Sequence, residues 1–381
     1  MSEPARAAPS YDPSRAEKIR DLLRRVADPS GFVPFDRFMD VALYGEGVGF
    51  YARGGSPFGA RGDYYTASHA SPLFGRTIAE RIRTLAASAA GTEPFRIVEL
   101  GPGDGTLGEE VVATLARNGA THGALEYVLV DRSPSLLTEA FARISAAGTA
   151  AGIRVIGSGG VGADGPFHGV VLANEVLDAQ PARRLRWTGR EWQELGIRVT
   201  EHGLVPEVAP LVSAVPAPEP PRPEAAGLVY EFSPMAEAIL REVADHLVGG
   251  LFLVLDFGMS ESELLSAHPL GTLASIRRHH AQDDPLLRPG DADLSVFVNF
   301  TRVRAVARAA GLTEVAFRRQ AEALGTWGFP RLLEQEIRSV RSPEEEVRVR
   351  LAAKNLLFGF ERFYALELAP PTRGARPTAV T

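Results

Sequence analysis

The stretch "VELGPGDGTLGEE", residues 98–110, decides the fold. An apolar run, "FRIVEL" (95–100), stops at Gly101; Gly103 and Gly105 follow, and "TLGEEVVATLAR" then has helical spacing. Glycine belongs where the chain turns tightly and a ligand must approach bare backbone. The first amides of the following helix then face that ligand. Glu99 stands before the first glycine, and Asp131 closes the next apolar run, "EYVLVD" (126–131). An acid there can accept hydrogen bonds from both hydroxyls of a ribose. Taken alone, such a loop also serves as a plain strand–helix turn, so its surroundings decide.

Downstream, "SPSLLTEAFARIS", "SPMAEAILREVADHL" and "FTRVRAVARAAG" have helical spacing, and "IRVI", "GVVLAN", "GLFLVLDFG" and "LTEVAFRR" read as strands. This alternation predicts an α/β fold, a parallel sheet with right-handed crossovers. Two more helices and a final strand or hairpin edge in 355–369 complete the pattern. Upstream, 15–28, 35–44 and 72–90 read as helices. The expected organisation is a helical region at 1–92 and a core at 93–182 and 227–369. Residues 183–226 form an insertion made of a β-hairpin, "RRLRWTGREWQELGIRVTEHGLV", and a proline-rich connector. A loop at 259–298 is expected to cover the substrate, and 370–381 to be disordered.

Composition narrows the function classes. The chain has 381 residues, 45% hydrophobic and 23% charged, enough to bury a full core. No apolar run approaches a membrane span, and the first residues lack the apolar segment of a secretory signal. With no cysteine, disulfides, thiolate metal sites and a cysteine nucleophile are excluded. The net charge of −6 argues against a nucleic-acid partner. The expectation is a cytoplasmic protein without membrane attachment, its oligomeric state open with a homodimer among the options.

A second cluster of chemistry lies in "LANEVLDAQP" (172–181), where a strand ends in Asn174 and Glu175. The carboxyl ends of strands are where such sheets bind ligands. Asp178 falls on the same face if a helix starts there, as a catalytic acid or as a first-turn acid behind an Asn174 cap. A nicotinamide site competes, because Gly103, Gly105 and Gly108 satisfy the G-x-G-x-x-G spacing. That match begins two residues too late, since Gly101 must make the first turn. The Glu-Leu-Gly-x-Gly-x-Gly form instead resembles the first motif of class I S-adenosylmethionine methyltransferases, in which Glu99 would help hold the methionine end.

From about residue 16 to 369 the chain resembles the MidA-like methyltransferases, relatives of a mitochondrial complex I assembly-factor arginine methyltransferase. The resemblance rests on "LYGEGVGFY" (43–51), "GDYYTASHASPLFG" (62–75), "VELGPGDGTL" (98–107), "LVDRSPSL" (129–136), "ANEVLDAQP" (173–181), "YEFSP" (230–234), "LVLDFG" (253–258) and "DADLSVFVNF" (291–300). It implies a Rossmann-like seven-stranded methyltransferase sheet with a helical N-terminal extension, and S-adenosyl-L-methionine as cofactor. It also implies that Gly62, Asp63 and Thr66 help build the cofactor pocket, with Glu99, Gly101, Gly103, Gly105, Asp131, Asn174 and Glu175. Two departures stand out: His69 replaces the family's glutamate, and "FVNF" brings Phe297 and Asn299 where His-Val-Asp-Phe is usual. Both fall in segments expected near the substrate.

Methyl transfer from a sulfonium is an in-line displacement, so the protein mainly positions and desolvates. A guanidinium acceptor, with a pKa above about 12, needs carboxylates to orient it and take its proton. Glu175, Asp178 and Glu231 are the candidates, with Asp256 a further strand-end acid. His69 reads as a base of near-neutral pKa or as a loop histidine bonded to its hydroxyl neighbours. His279 and His280 with Asp283 and Asp284 lack the spacing of a metal site, and no metal is expected. The acceptor is a protein arginine or a small metabolite methylated at O, N or C. A cofactor-binding assembly factor that has lost catalysis is the remaining reading.

Overall fold

Apolar runs of the kind quoted above become the central strands β1 (Phe95–Leu100), β2 (Leu125–Val130), β3 (Arg154–Ser158), β4 (Phe167–Asn174), β5 (Leu247–Met259), β6 (Thr313–Arg319) and β7 (Phe363–Ala369). The computed structural model describes residues 13–54, 66–88, 94–117, 125–211, 223–277, 280–282 and 284–371. The seven strands pair in the order β6-β7-β5-β4-β1-β2-β3, and a two-residue strand, Val298–Asn299, adds to the end of β5. β1 to β5 are parallel, and β7 runs antiparallel between β5 and β6.

Side-chain alternation buries both faces of this sheet, as a parallel sheet requires. Ile97, Leu129, Leu172 and Leu253 face one layer, which includes the helices Pro72–Ser88 and Thr106–Arg117. Val98, Val128, Val171 and Phe252 face the other, under Pro234–His246 and Phe300–Ala309. The register aligns Leu100 with Val130 and Ala173, and Asn174 with Leu255. The last residues of β1, β2, β4 and β5 therefore open onto one edge.

Several expectations need correction. The first 92 residues contain a strand, Phe32–Pro34, and the hairpin is part of a five-stranded second sheet. Strands Arg183–Trp187, Trp192–Thr200 and Gly203–Pro210 expose apolar edges and faces that a hairpin alone cannot cover. Phe32–Pro34 pairs with Trp192–Thr200, and Val229–Phe232 with Arg183–Trp187. The loop at 259–298 holds a helix, Glu261–Ala267, and a small sheet formed by Ala274–Arg277, His280–Ala281 and Asp293–Ser295. Three helices, Gln320–Thr326, Phe329–Ser339 and Pro343–Phe358, separate β6 from β7 where two were expected. β7 is an interior strand, because β6 pairs outside it. The tail at 372–381 lies outside the described residues. Among the described residues no helix is long and apolar enough to cross a membrane.

Candidate active site

Between β1 and β4 the strand order reverses direction, and a cavity of about 260 Å³ opens at their carboxyl ends. Its glycine wall follows from backbone geometry. Gly101, Gly103 and Gly105 all have positive φ, of 57°, 57° and 83°. A Cβ on Gly101 would come within 3.1 Å of Val176 Cγ2, and one on Gly105 within 2.9 Å of Ala140 Cα. The loop thus presents bare backbone to the cavity, and the helix Thr106–Arg117 starts directly behind it.

Two acids flank that loop. Glu99 is buried and accepts the Tyr127 hydroxyl at 2.9 Å; burial pushes its carboxyl up to about 7. Gly108 makes room for it, since a Cβ there would lie 2.7 Å from Glu99 Oε2. Asp131 follows β2 and accepts the Ser133 amide at 2.7 Å, and burial raises it to about 6. One acid by the loop and one at the next strand end suit a ligand carrying an amino group and a ribose. An adenosyl-amino-acid cofactor fits this donor set and the uncluttered glycine backbone.

The N-terminal region closes the cavity through Thr66, Ser68 and His69. Both ring nitrogens of His69 are engaged: Nδ1 lies 2.7 Å from Thr66 Oγ1 and Nε2 3.3 Å from Asp104 Oδ2. Burial pushes Asp104 up, but hydrogen bonds from His69 and Thr106 outweigh it and hold the carboxyl down at about 2. His69 therefore ties the N-terminal segment to the glycine loop. Gly62 and Asp63, expected beside Thr66, lie outside the described residues, as do His279 and Asp283.

Glu175 stands at the mouth of β4 with φ 55°, the one non-glycine with positive φ among the described residues. Such backbone costs on the order of 1 kcal/mol and persists where the surroundings impose it. The Glu175 amide bonds Leu255 O at 2.9 Å, and its carboxylate accepts Ala67 N–H at 3.2 Å. Burial, reinforced by the charges of Asp256 and Asp293, raises its carboxyl to about 8 against hydrogen bonds from Ala67 and Asn174. Among the described residues no arginine or lysine pairs with Glu175, Asp178 or Asp256.

The other strand-end acids have different places. Asp256 accepts the Val176 and Leu177 amides at 3.1 and 2.7 Å, and so fixes the turn after Glu175. No helix begins at Asn174, so the expected helical placement of Asp178 is corrected. It lies in a non-helical turn, with Oδ1 buried and without a partner among the described residues. Burial and the neighbouring Asp256 and Glu175 raise its carboxyl far above the usual range.

Glu231 is outside the cavity. It bonds Arg184 Nε at 2.7 Å and the amide and hydroxyl of Thr272 at 2.6 Å each, within the second sheet and its neighbouring loop. The departures Phe297 and Asn299 lie on its side, not in the cavity. Asn299 caps the helix Phe300–Ala309 and donates to Glu261 at 2.9 Å. Sequence reasoning passed over other wall residues, among them Tyr44, Tyr51, Gln180 and Met235. Tyr44, Tyr51 and Gln180 do lie within two of the stretches that carry the family resemblance, which was the available signal.

With this geometry in place, comparison with known proteins is specific. Residues 73–317 match the family model described as "Putative S-adenosyl-L-methionine-dependent methyltransferase". The chain belongs to this family. Its cofactor is S-adenosyl-L-methionine, and it is a methyltransferase. A Burkholderia thailandensis structure bound to S-adenosyl-homocysteine is 27% identical, covers 98% of this chain and 97% of its own, and superposes with a TM-score of 0.82. The protein arginine methyltransferase NDUFAF7 homolog, mitochondrial, of Drosophila melanogaster is 26% identical over 81% of this chain and 75% of its own. Its Caenorhabditis elegans counterpart is 24% identical over 77% and 72%.

Proposed function

We propose that this methyltransferase acts on the guanidinium group of a protein arginine, with Glu175 as the residue that receives it. The observation carrying this reading is a half-buried carboxyl in the cavity wall, raised to about 8, with no basic partner among the described residues. A charge left so uncompensated favours a cationic ligand. The named activity of the fly and worm relatives supports the same acceptor class.

When bound, S-adenosyl-L-methionine supplies an electrophilic methyl group on a positively charged sulfur. In this reading Gly101, Gly103 and Gly105 leave it room, while Asp131 accepts from its ribose and Glu99 supports its amino-acid end. A guanidinium nitrogen attacks the methyl carbon as the carbon–sulfur bond breaks, and the bonding pair stays on sulfur. The nitrogen sheds one proton, which Glu175 takes. Positive charge near Glu175 lowers its carboxyl from about 8, readying it as a base when the acceptor binds.

Incubation of the protein with methyl-labelled cofactor and a cell extract, followed by acid hydrolysis, tests the acceptor class. Label is expected in methylarginine from the protein fraction. Label confined to small molecules would reject the arginine reading and leave the methyltransferase intact.

A further inference from the structure

The turn that follows Glu175 carries a second, neutral group with the same demand. Gln180 is 5% exposed and walls the cavity. Its Nε2 donates to Val176 O at 2.8 Å, while its Oε1 is buried without a partner among the described residues. That bond fixes the amide, since a flip would set two carbonyl oxygens against each other. Asn174 repeats the pattern: it donates to Glu175, and its Oδ1 is buried and unpartnered among the described residues. Asp178 adds a third such oxygen. The amides of Gln180 and Asn174 thus have their donors engaged and their oxygens left as acceptors. Such oxygens are matched by a ligand's donors, and a hydroxyl has a single hydrogen to give. A guanidinium has five N–H donors in a planar fork.

We infer that Gln180 is a specificity-determining residue whose Oε1 accepts an N–H of the acceptor's guanidinium beside Glu175. This rests on the arginine reading, and adds to it a contact that reads hydrogen-bond geometry where Glu175 reads charge. Leaving a buried oxygen unpaired in the complex is what disfavours acceptors that lack the donor.

Calorimetric titration of the protein saturated with S-adenosyl-homocysteine tests it, the cofactor's own amino group then being in place. The probes are N-acetyl-arginine methylamide and N-acetyl-norleucine methylamide, which has no donor at the side-chain end. Wild type is expected to prefer the arginine probe, and Gln180→Met to lose about tenfold of that preference. Gln180→Glu should restore it, because a protonated carboxyl can donate to Val176 O and still offer an acceptor. Thermal melts establish that each variant is folded and binds S-adenosyl-homocysteine. No preference in wild type would overturn the arginine reading, and this inference with it. A preference that survives in Gln180→Met would overturn the role of Gln180 alone. If Gln180→Met does not fold, Gln180→Glu decides: retention of the preference supports the inference, and its loss overturns it.

Discussion

Glu175 and Glu231 look alike in the sequence, each an acid at the end of an apolar run, yet they belong to two chemically opposite regions. Glu231 sits on the second sheet, directly opposite Arg184 in an antiparallel register, and its oxygens are taken by Arg184 and Thr272. Glu175 sits at the carboxyl edge of the main sheet, among Asp178, Asp256 and Asp293, with an amide and an asparagine as its partners. A saturated carboxylate holds the fold together. An unsaturated one stores a demand that a ligand must meet, at some expense in stability.

Substitutions at the two positions should therefore separate cleanly. Glu175→Gln keeps the shape and removes the proposed base, and is expected to lower kcat by about 10³-fold. Affinity for S-adenosyl-homocysteine, measured by calorimetry, should change little, since the variant keeps the glycine loop and Asp131. An equal loss of cofactor affinity would mean that Glu175 mainly holds the cofactor. Glu231→Gln should leave kcat near wild type below its melting temperature and cost about 3 kcal/mol of stability, by stranding the half-buried Arg184. Denaturant unfolding measures this; an unchanged midpoint would remove the contrast.

Gly101→Ala tests the cavity from its other wall. The added Cβ meets Val176 at 3.1 Å on a backbone of φ 57°, so cofactor affinity should fall about tenfold. Binding of wild-type strength would show that the loop has room to spare.

The smallest effect is in the pH dependence of the ligand-free protein. Glu175 is raised to about 8 from an ordinary 4.5, so the folded state holds a proton that the unfolded chain releases. Its stabilising contribution is therefore full below about 4.5 and is lost as pH rises toward 8, a slope of the same sign as those of Glu99 and Asp131. Glu175→Gln should gain about 1 kcal/mol relative to wild type between pH 5 and pH 6. A constant difference between the two proteins across that range would contradict the placement of the charge.

Much of the fold was legible because the central parallel strands are buried on both faces and read as short apolar runs between helices. Less legible was whatever depends on pairing across long separations. Phe32–Pro34 is too short to show a period, and becomes a strand only because Trp192–Thr200 offers it an edge. β7 reads as an edge because β6, which covers it, comes earlier in the chain and pairs antiparallel. In the site, the glycines, Asp131 and Glu175 announced themselves through strand-end position. Glu231 misled, since its partner Arg184 is 47 residues away in sequence. Gln180 was missed because an unpaired oxygen is a property of the folded turn.

The central claim is that an uncompensated Glu175 takes the proton of a guanidinium acceptor. The pH profile of methylarginine formation tests it most directly, as kcat/KM for the acceptor at saturating cofactor in wild type and Glu175→Gln. Wild type should rise from pH 6 with a midpoint at or below about 8, the saturating cofactor's sulfonium charge lowering the carboxyl, while Glu175→Gln stays low and flat. A wild-type profile that is flat from pH 6 to 9, or one that Glu175→Gln shares, would contradict the account.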